Sequence, residues 1–183
     1  MENRTLQAFE RLDLLEWQTC HRLAGYSRHW PLLLTMRIAS RLGDWPIWAV
    51  LIASQALLHG IRGWWLTLQF ALTAGVAALI YRLVKTRLCR ERPFITFKQI
   101  ACTMPPMDRY SFPSGHTMHA VAFTTLTADS APWLLAVIAP LAVLIAMSRV
   151  VLGLHYLSDV AAGALLGYLI AETSLWLWPA TPL

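Results

Sequence analysis

This chain carries little charge for its length. Lys, Arg, Asp and Glu supply only 14% of its 183 residues, hydrophobic residues supply 57%, and the mean hydropathy is +0.50. A soluble domain of this length could bury a large core, but so little charge over so much apolar sequence points to a bilayer. Cysteine is scarce too. Cys20, Cys89 and Cys102 form an odd set without paired spacing, so neither a disulfide framework nor a zinc motif follows. Free thiols are expected, although an oxidising face would permit a Cys89–Cys102 bridge. The N-terminal segment lacks an uninterrupted apolar run and an obvious cleavage site, which argues against a signal peptide. Without a repeat, linker or composition break, residues 1–183 read as one domain.

What is present is a series of apolar stretches. Spans are expected at 45–59, 64–84, 117–128, 132–152 and 156–178. The second, fourth and fifth have about the 20 residues needed to cross hydrocarbon, whereas the first and third are short. The fold class is therefore all-α: an integral membrane bundle of about five transmembrane helices, its core at 45–178. Residues 1–43 differ. There Leu12, Leu14, Leu15 and Trp17 alternate with Arg11, Asp13 and Glu16, the pattern of amphipathic helices lying in the interface. Asp44-Trp45-Pro46 reads as the cap and first turn of the first span. Most of the nine tryptophans fall near span ends, at headgroup level. Pro140 is expected to kink the fourth span, and Gly163 with Gly167 to form a close-packing face on the fifth.

Against this apolar background three polar clusters need an explanation. The first is Lys85-x6-Arg92-Pro93, in a run with Arg87 and Arg90. The second is Pro113-Ser114-Gly115-His116, where Ser114 is a helix N-cap, Gly115 admits close approach to the backbone, and free N–H groups would bind phosphate oxygens. The third is Ser148-Arg149-x5-His155-x3-Asp159. On a helix, His155 and Asp159 would share a face, the carboxylate holding one imidazole nitrogen and leaving the other free as nucleophile or base. Arg149 offers a permanently charged fork for an anion. With five spans, alternation puts all three clusters and the N-terminal segment on one membrane face.

In these motifs and their order the chain resembles the type 2 phosphatidic acid phosphatase superfamily, whose signatures are K-x6-R-P, P-S-G-H and S-R-x5-H-x3-D. The resemblance implies that His155 attacks phosphorus, Asp159 orients it, and His116 protonates the leaving oxygen. It further implies that Lys85, Arg92, Ser114, Gly115 and Arg149 cradle the phosphoryl oxygens. Cations around the equatorial oxygens do what magnesium does elsewhere, so no metal or other cofactor is expected. A metal site built from His116, His119, His155 and Asp159 is disfavoured by those same cations.

The expected partner is a phosphorylated membrane lipid: undecaprenyl pyrophosphate, phosphatidylglycerol phosphate or phosphatidic acid. A phosphotransferase using the same phosphohistidine, or a non-catalytic lipid-phosphate binder, stands as the alternative. A net charge of +5 suits anionic headgroups, and basic residues confined to a membrane face leave no role for nucleic acid. The excess of Lys and Arg on the motif face points to the cytoplasm by the positive-inside rule. The family's bacterial members instead suggest the periplasmic or extracytoplasmic face of an inner membrane, which is the reading carried forward. The loop 94–112 would form a lid or substrate rim, or simply anchor the chain at the interface. Arg87, Arg90 and Glu91 would either bind lipid phosphates or decorate the face.

Overall fold

Seven helices, two 3-10 turns and their connections make up residues 2–178, which a computed structural model describes. Met1 and residues 179–183, the last of which belong to the tail assigned to the face opposite the motifs, lie outside the described residues. The helices are α1 (Glu2–Gly25), α2 (Trp30–Leu42), α3 (Trp45–Leu88), α4 (Pro93–Thr96), α5 (Gly115–Ser130), α6 (Leu135–Val151) and α7 (Leu157–Leu177), and among the described residues there is no strand.

Three stretches are long and apolar enough to cross a membrane: Trp45–Thr96, Pro132–Val151 and Leu157–Leu177. The first contains two of the expected spans. At Gly60 the backbone leaves the helix with φ 58° and ψ −130°, a conformation open to glycine and costly for other residues. The chain then doubles back. Thr67 donates to the carbonyl of Ile52 at 3.2 Å, and a Cβ on Gly63 would stand 2.2 Å from the Gln55 carbonyl oxygen. Residues fifteen apart on a straight helix would be roughly 22 Å apart along its axis, so α3 is two packed limbs joined by a tight turn.

The 16 residues of α5 would span only about 24 Å. Its environment explains how so short a helix is accommodated. Met118, Ala120, Ala122, Phe123 and Leu126 are buried, with Phe123 stacked between Trp48 and Phe70 of the two α3 limbs at centroid distances of 5.0 and 6.0 Å. Ile138, Ala142 and Ile145 of α6 and Ala171 of α7 complete this core. On α7 the expected glycine face is real: Cβ atoms on Gly163 and Gly167 would come within 2.5 and 2.2 Å of the Ser114 and Met118 carbonyl oxygens. The helix α6 runs through Pro140.

The N-terminal segment forms α1 and α2, and α1 turns Leu14 and Leu15 outward while burying Asp13, Cys20 and Ala24. Exposed leucines suit an interface. The buried aspartate was expected on the polar side and is instead directed inward by a partner described below. Trp30, Trp45, Trp64, Trp65, Trp133 and Trp176 are exposed, whereas Trp48 belongs to the core.

Candidate functional site

The three clusters are delivered by helix ends. Lys85 occupies the last turn of α3, Arg92 precedes α4, Ser114 caps the start of α5, Arg149 lies in the last turn of α6, and Asp159 sits in the first turn of α7. Between α6 and α7 the chain turns tightly at Gly153, with φ 74°, where a Cβ would press to 2.5 Å on the Ala101 carbonyl oxygen. The N–H groups of Leu154 and His155 both return to the Arg149 carbonyl at 3.0 Å, which keeps Arg149 and His155 together. Arg92 reaches the same turn, donating to the Leu154 carbonyl at 2.8 Å and lying 3.4 Å from His155 Nε2.

Here the structure corrects two details of the expected geometry. His155 is not on a helix with Asp159, because Tyr156 is the N-cap of α7 and His155 precedes it. Nor do the two form a hydrogen bond: His155 Nδ1 stands 3.6 Å from Asp159 Oδ2, beyond hydrogen-bond range, and has no partner. Asp159 Oδ2 accepts the Tyr156 N–H at 2.9 Å, and Oδ1 accepts Arg90 at 2.6 Å. Burial first, then the charges of Arg149, Arg92 and Lys85, push the His155 imidazole well below its ordinary pKa of 6.5. The ring is therefore neutral at pH 7, as a nucleophile or base requires.

Arg90 is neither a surface ornament nor a free headgroup ligand. Fully buried, it also pairs with Asp13 of α1 at 2.6 Å, bonds Ser158, and lies against the rings of Tyr156 and Phe9. This is what draws Asp13 inward and ties α1 to the site.

The other expected residues show similar shifts of partner. Ser114 is an N-cap by backbone geometry, but its hydroxyl pairs with that of Thr117 at 3.0 Å and caps no N–H. Space beside Gly115 is taken by Tyr81, whose ring a Cβ would meet at 2.8 Å. His116 Nε2 lies 2.9 Å from Asp44 Oδ1, and Asp44, expected to cap α3, makes no side-chain capping bond there. Arg149 is buried, donates one terminal nitrogen to Ser40 Oγ, and leaves Nε without a partner. His119 binds the Gly115 carbonyl at 2.9 Å and packs on Phe123, a helix-packing role.

Sequence reasoning missed Asp108. From the loop before α5 its carboxylate receives Lys85 Nζ at 2.8 Å, Arg92 at 2.7 Å and the Tyr81 hydroxyl. Burial alone would raise this carboxyl, but those hydrogen bonds outweigh it and hold the pKa at about 2. Tyr81 stood four residues before Lys85, a helical spacing that hinted at contact. Asp108, Asp44 and Ser40 carried no such signal.

Beside this polar centre lies an apolar cleft of about 480 Å³ between the α3 limbs and α5, lined by Trp48, Ile52, Ala74, Ala78 and Phe123 and reaching Gly115 and His116. Its volume and character suit part of an apolar ligand. Met107 of the long loop borders it. Phe94 and Met104 of the same segment pack against Met36, Val151 and Leu154. Among the described residues no three His, Cys, Asp or Glu side chains converge as a metal site would require.

A family model described as PAP2 superfamily matches residues 66–181. The chain is 34% identical over 142 residues to a decaprenylphosphoryl-5-phosphoribose phosphatase of Mycobacterium tuberculosis, covering 74% of this chain and 75% of that protein. It is 28% identical over 165 residues to an undecaprenyl-diphosphatase of Sulfolobus acidocaldarius, covering 88% and 78%. Among solved structures the fold is similar to a transmembrane PAP2 type phosphatidylglycerolphosphate phosphatase from Bacillus subtilis, with TM-score 0.70, 22% identity, and 96% and 94% of the two chains covered. It is also similar to Aquifex aeolicus LpxE, with TM-score 0.74, 24% identity, and coverage of 85% and 92%.

Proposed function

The chain belongs to the PAP2 superfamily and is a membrane phosphoric ester or diphosphate hydrolase, and from that premise we propose that it dephosphorylates a lipid through a covalent phosphohistidine. Undecaprenyl pyrophosphate, phosphatidylglycerol phosphate and phosphatidic acid are the substrates in view. The observation that carries this reading is the convergence of Lys85, Arg92 and Arg149 on a buried neutral His155, with the Arg149 Nε donor left unpartnered. Unpaired buried donors are costly, and a phosphoryl oxygen would satisfy one. The apolar cleft at His116 supports a lipid as the carrier of that phosphate.

In the first step the His155 Nε2 lone pair forms the N–P bond as the P–O bond to the lipid breaks, and His116 gives its proton to the departing oxygen. Water then attacks phosphorus, returning a proton to His116, and the N–P bond breaks to release phosphate. Lys85, Arg92, Arg149, the Ser114 hydroxyl and the backbone N–H of Gly115 would hold the equatorial oxygens, where charge is spread during transfer. Asp159 would steady the imidazole from the Nδ1 side, and Asp44 would steady His116.

The same reading takes the chain as a single domain with five spans: two limbs of α3, then α5, α6 and α7. Its site would lie on the periplasmic face of a bacterial inner membrane. Phosphate release from the three lipids in detergent, with EDTA present, tests the chemistry. Release that disappears in His155→Ala, while inorganic phosphate still binds, is the expected result. Turnover by His155→Ala near the wild-type rate would end the nucleophile assignment, and release only on adding metal would end the metal-free route.

A further inference from the structure

The Asp108 carboxylate sits on the two cations of the first motif. Oδ1 is 2.8 Å from Lys85 Nζ and 2.7 Å from an Arg92 nitrogen, and Oδ2 takes the second contact from Lys85 at 2.8 Å as well as the Tyr81 hydroxyl. Arg92 Nε is bound to the Asp108 carbonyl at 2.9 Å, so side chain and backbone of one residue occupy most of that guanidinium. A phosphoryl group approaching Lys85 and Arg92 meets donors already committed to an anion. We infer that Asp108 is a specificity-determining residue, a competing carboxylate that ligands must displace from Lys85 and Arg92.

Displacement has a cost common to all ligands, because charge-assisted bonds must be broken before new ones form. A dianionic terminal phosphate brings more charge than the carboxylate it replaces. A phosphodiester headgroup, with one negative charge, brings no more. In a bilayer, phosphodiester lipids greatly outnumber the phosphorylated substrate, so this cost keeps ordinary headgroups from filling the site while a terminal phosphate still enters. Asp108 lies in the connection between α4 and α5, next to Met107 at the cleft, so its withdrawal would open the cations toward the apolar channel.

The inference rests on the phosphate-site reading above, and the test separates the two. Inorganic phosphate binding to the detergent-solubilised full chain is measured calorimetrically for wild type, Asp108→Asn, Tyr81→Phe and Arg149→Ala. Asp108→Asn should bind about tenfold tighter, Tyr81→Phe should gain less, and Arg149→Ala should lose affinity. Unchanged binding in Arg149→Ala would overturn the phosphate site itself. Loss there without gain in Asp108→Asn would overturn the competition alone. If Asp108→Asn does not fold, Tyr81→Phe decides: a gain supports the inference, and its absence overturns it. Doping the micelles with phosphatidylglycerol provides a second readout. Hydrolysis by Asp108→Asn should fall severalfold while wild type is little affected, and equal responses would refute selectivity.

Discussion

In the proposed mechanism the chemistry turns on His155, and its protonation is set by neighbours drawn from three helix ends. The ring is buried and faces Arg149, Arg92 and Lys85, while Asp159 stands 3.6 Å from Nδ1. All the cations oppose a fourth charge. The folded-state pKa therefore falls below the ordinary 6.5, and the stability this group contributes is present above about 6.5 and is lost as pH falls from there toward the folded value. A histidine NMR titration in micelles, assigned by comparison with His155→Asn, should show this ring titrating below the ordinary 6.5. A midpoint at or above 6.5 would contradict the burial and the cationic surroundings described here. The residue types at Lys85, Arg92, His116, Arg149, His155 and Asp159 were legible from spacing alone. Their hydrogen-bond partners were not, since Asp44 and His116 lie 72 residues apart and Arg90 and Asp159 lie 69 apart.

The elements owe their placement to small residues as much as to apolar ones. Along α7 the pair Gly163 and Gly167 lets its backbone approach α5 so closely that Ser114 meets Asp159, the Ser114 N–H reaching the Asp159 carbonyl at 3.0 Å. Close packing of this kind replaces the missing hydrophobic drive between helices in lipid. Gly167→Leu should therefore lower the melting temperature in detergent markedly, by a destabilisation on the order of 1–3 kcal/mol or more, and disturb the site with it. Gly75→Ala, where a Cβ would meet nothing within 4 Å, is the contrast and should melt at least as high as wild type. A matching loss in both would mean that the close α5–α7 approach was not what Gly167→Leu had disturbed, since helix propensity favours both replacements. The period and spacing of these glycines made the face readable in advance. In the sequence the fold-back at Gly60 is visible only as a break between two apolar runs, while the stacking of Trp48, Phe123 and Phe70 that closes it arises from residues far apart in sequence.

For the whole molecule, orientation in the membrane is the property with the sharpest consequence. The proposed five spans put the motif face and α1 on one side and the C-terminus on the other. With the site periplasmic, a C-terminal fusion to a reporter active only in the periplasm should be silent, and a cytoplasmic fluorescent reporter should glow. The reverse pattern would place the site in the cytoplasm, in line with the crowding of Lys and Arg on its face. That crowding is a weaker signal here because Lys85, Arg90, Arg92 and Arg149 are buried in ion pairs and hydrogen bonds and do not meet lipid headgroups.

Composition and periodicity by themselves determined that this is an all-helical membrane protein, and three short ordered motifs singled out the side chains proposed for the phosphate chemistry. Both are local properties: apolar side chains face hydrocarbon in runs of spanning length, whose backbone groups are satisfied only by coiling into helices, and motif residues keep their spacing wherever the chain goes. Tertiary structure alone decided who neutralises whom. Asp108 on Lys85 and Arg92, and Arg90 between Asp13 and Asp159, are ion pairs of buried cations, and Asp44 on His116 is a further contact, all across long separations. Burial leaves each charge in need of a partner, and only packing determines which opposite charge is near enough to serve.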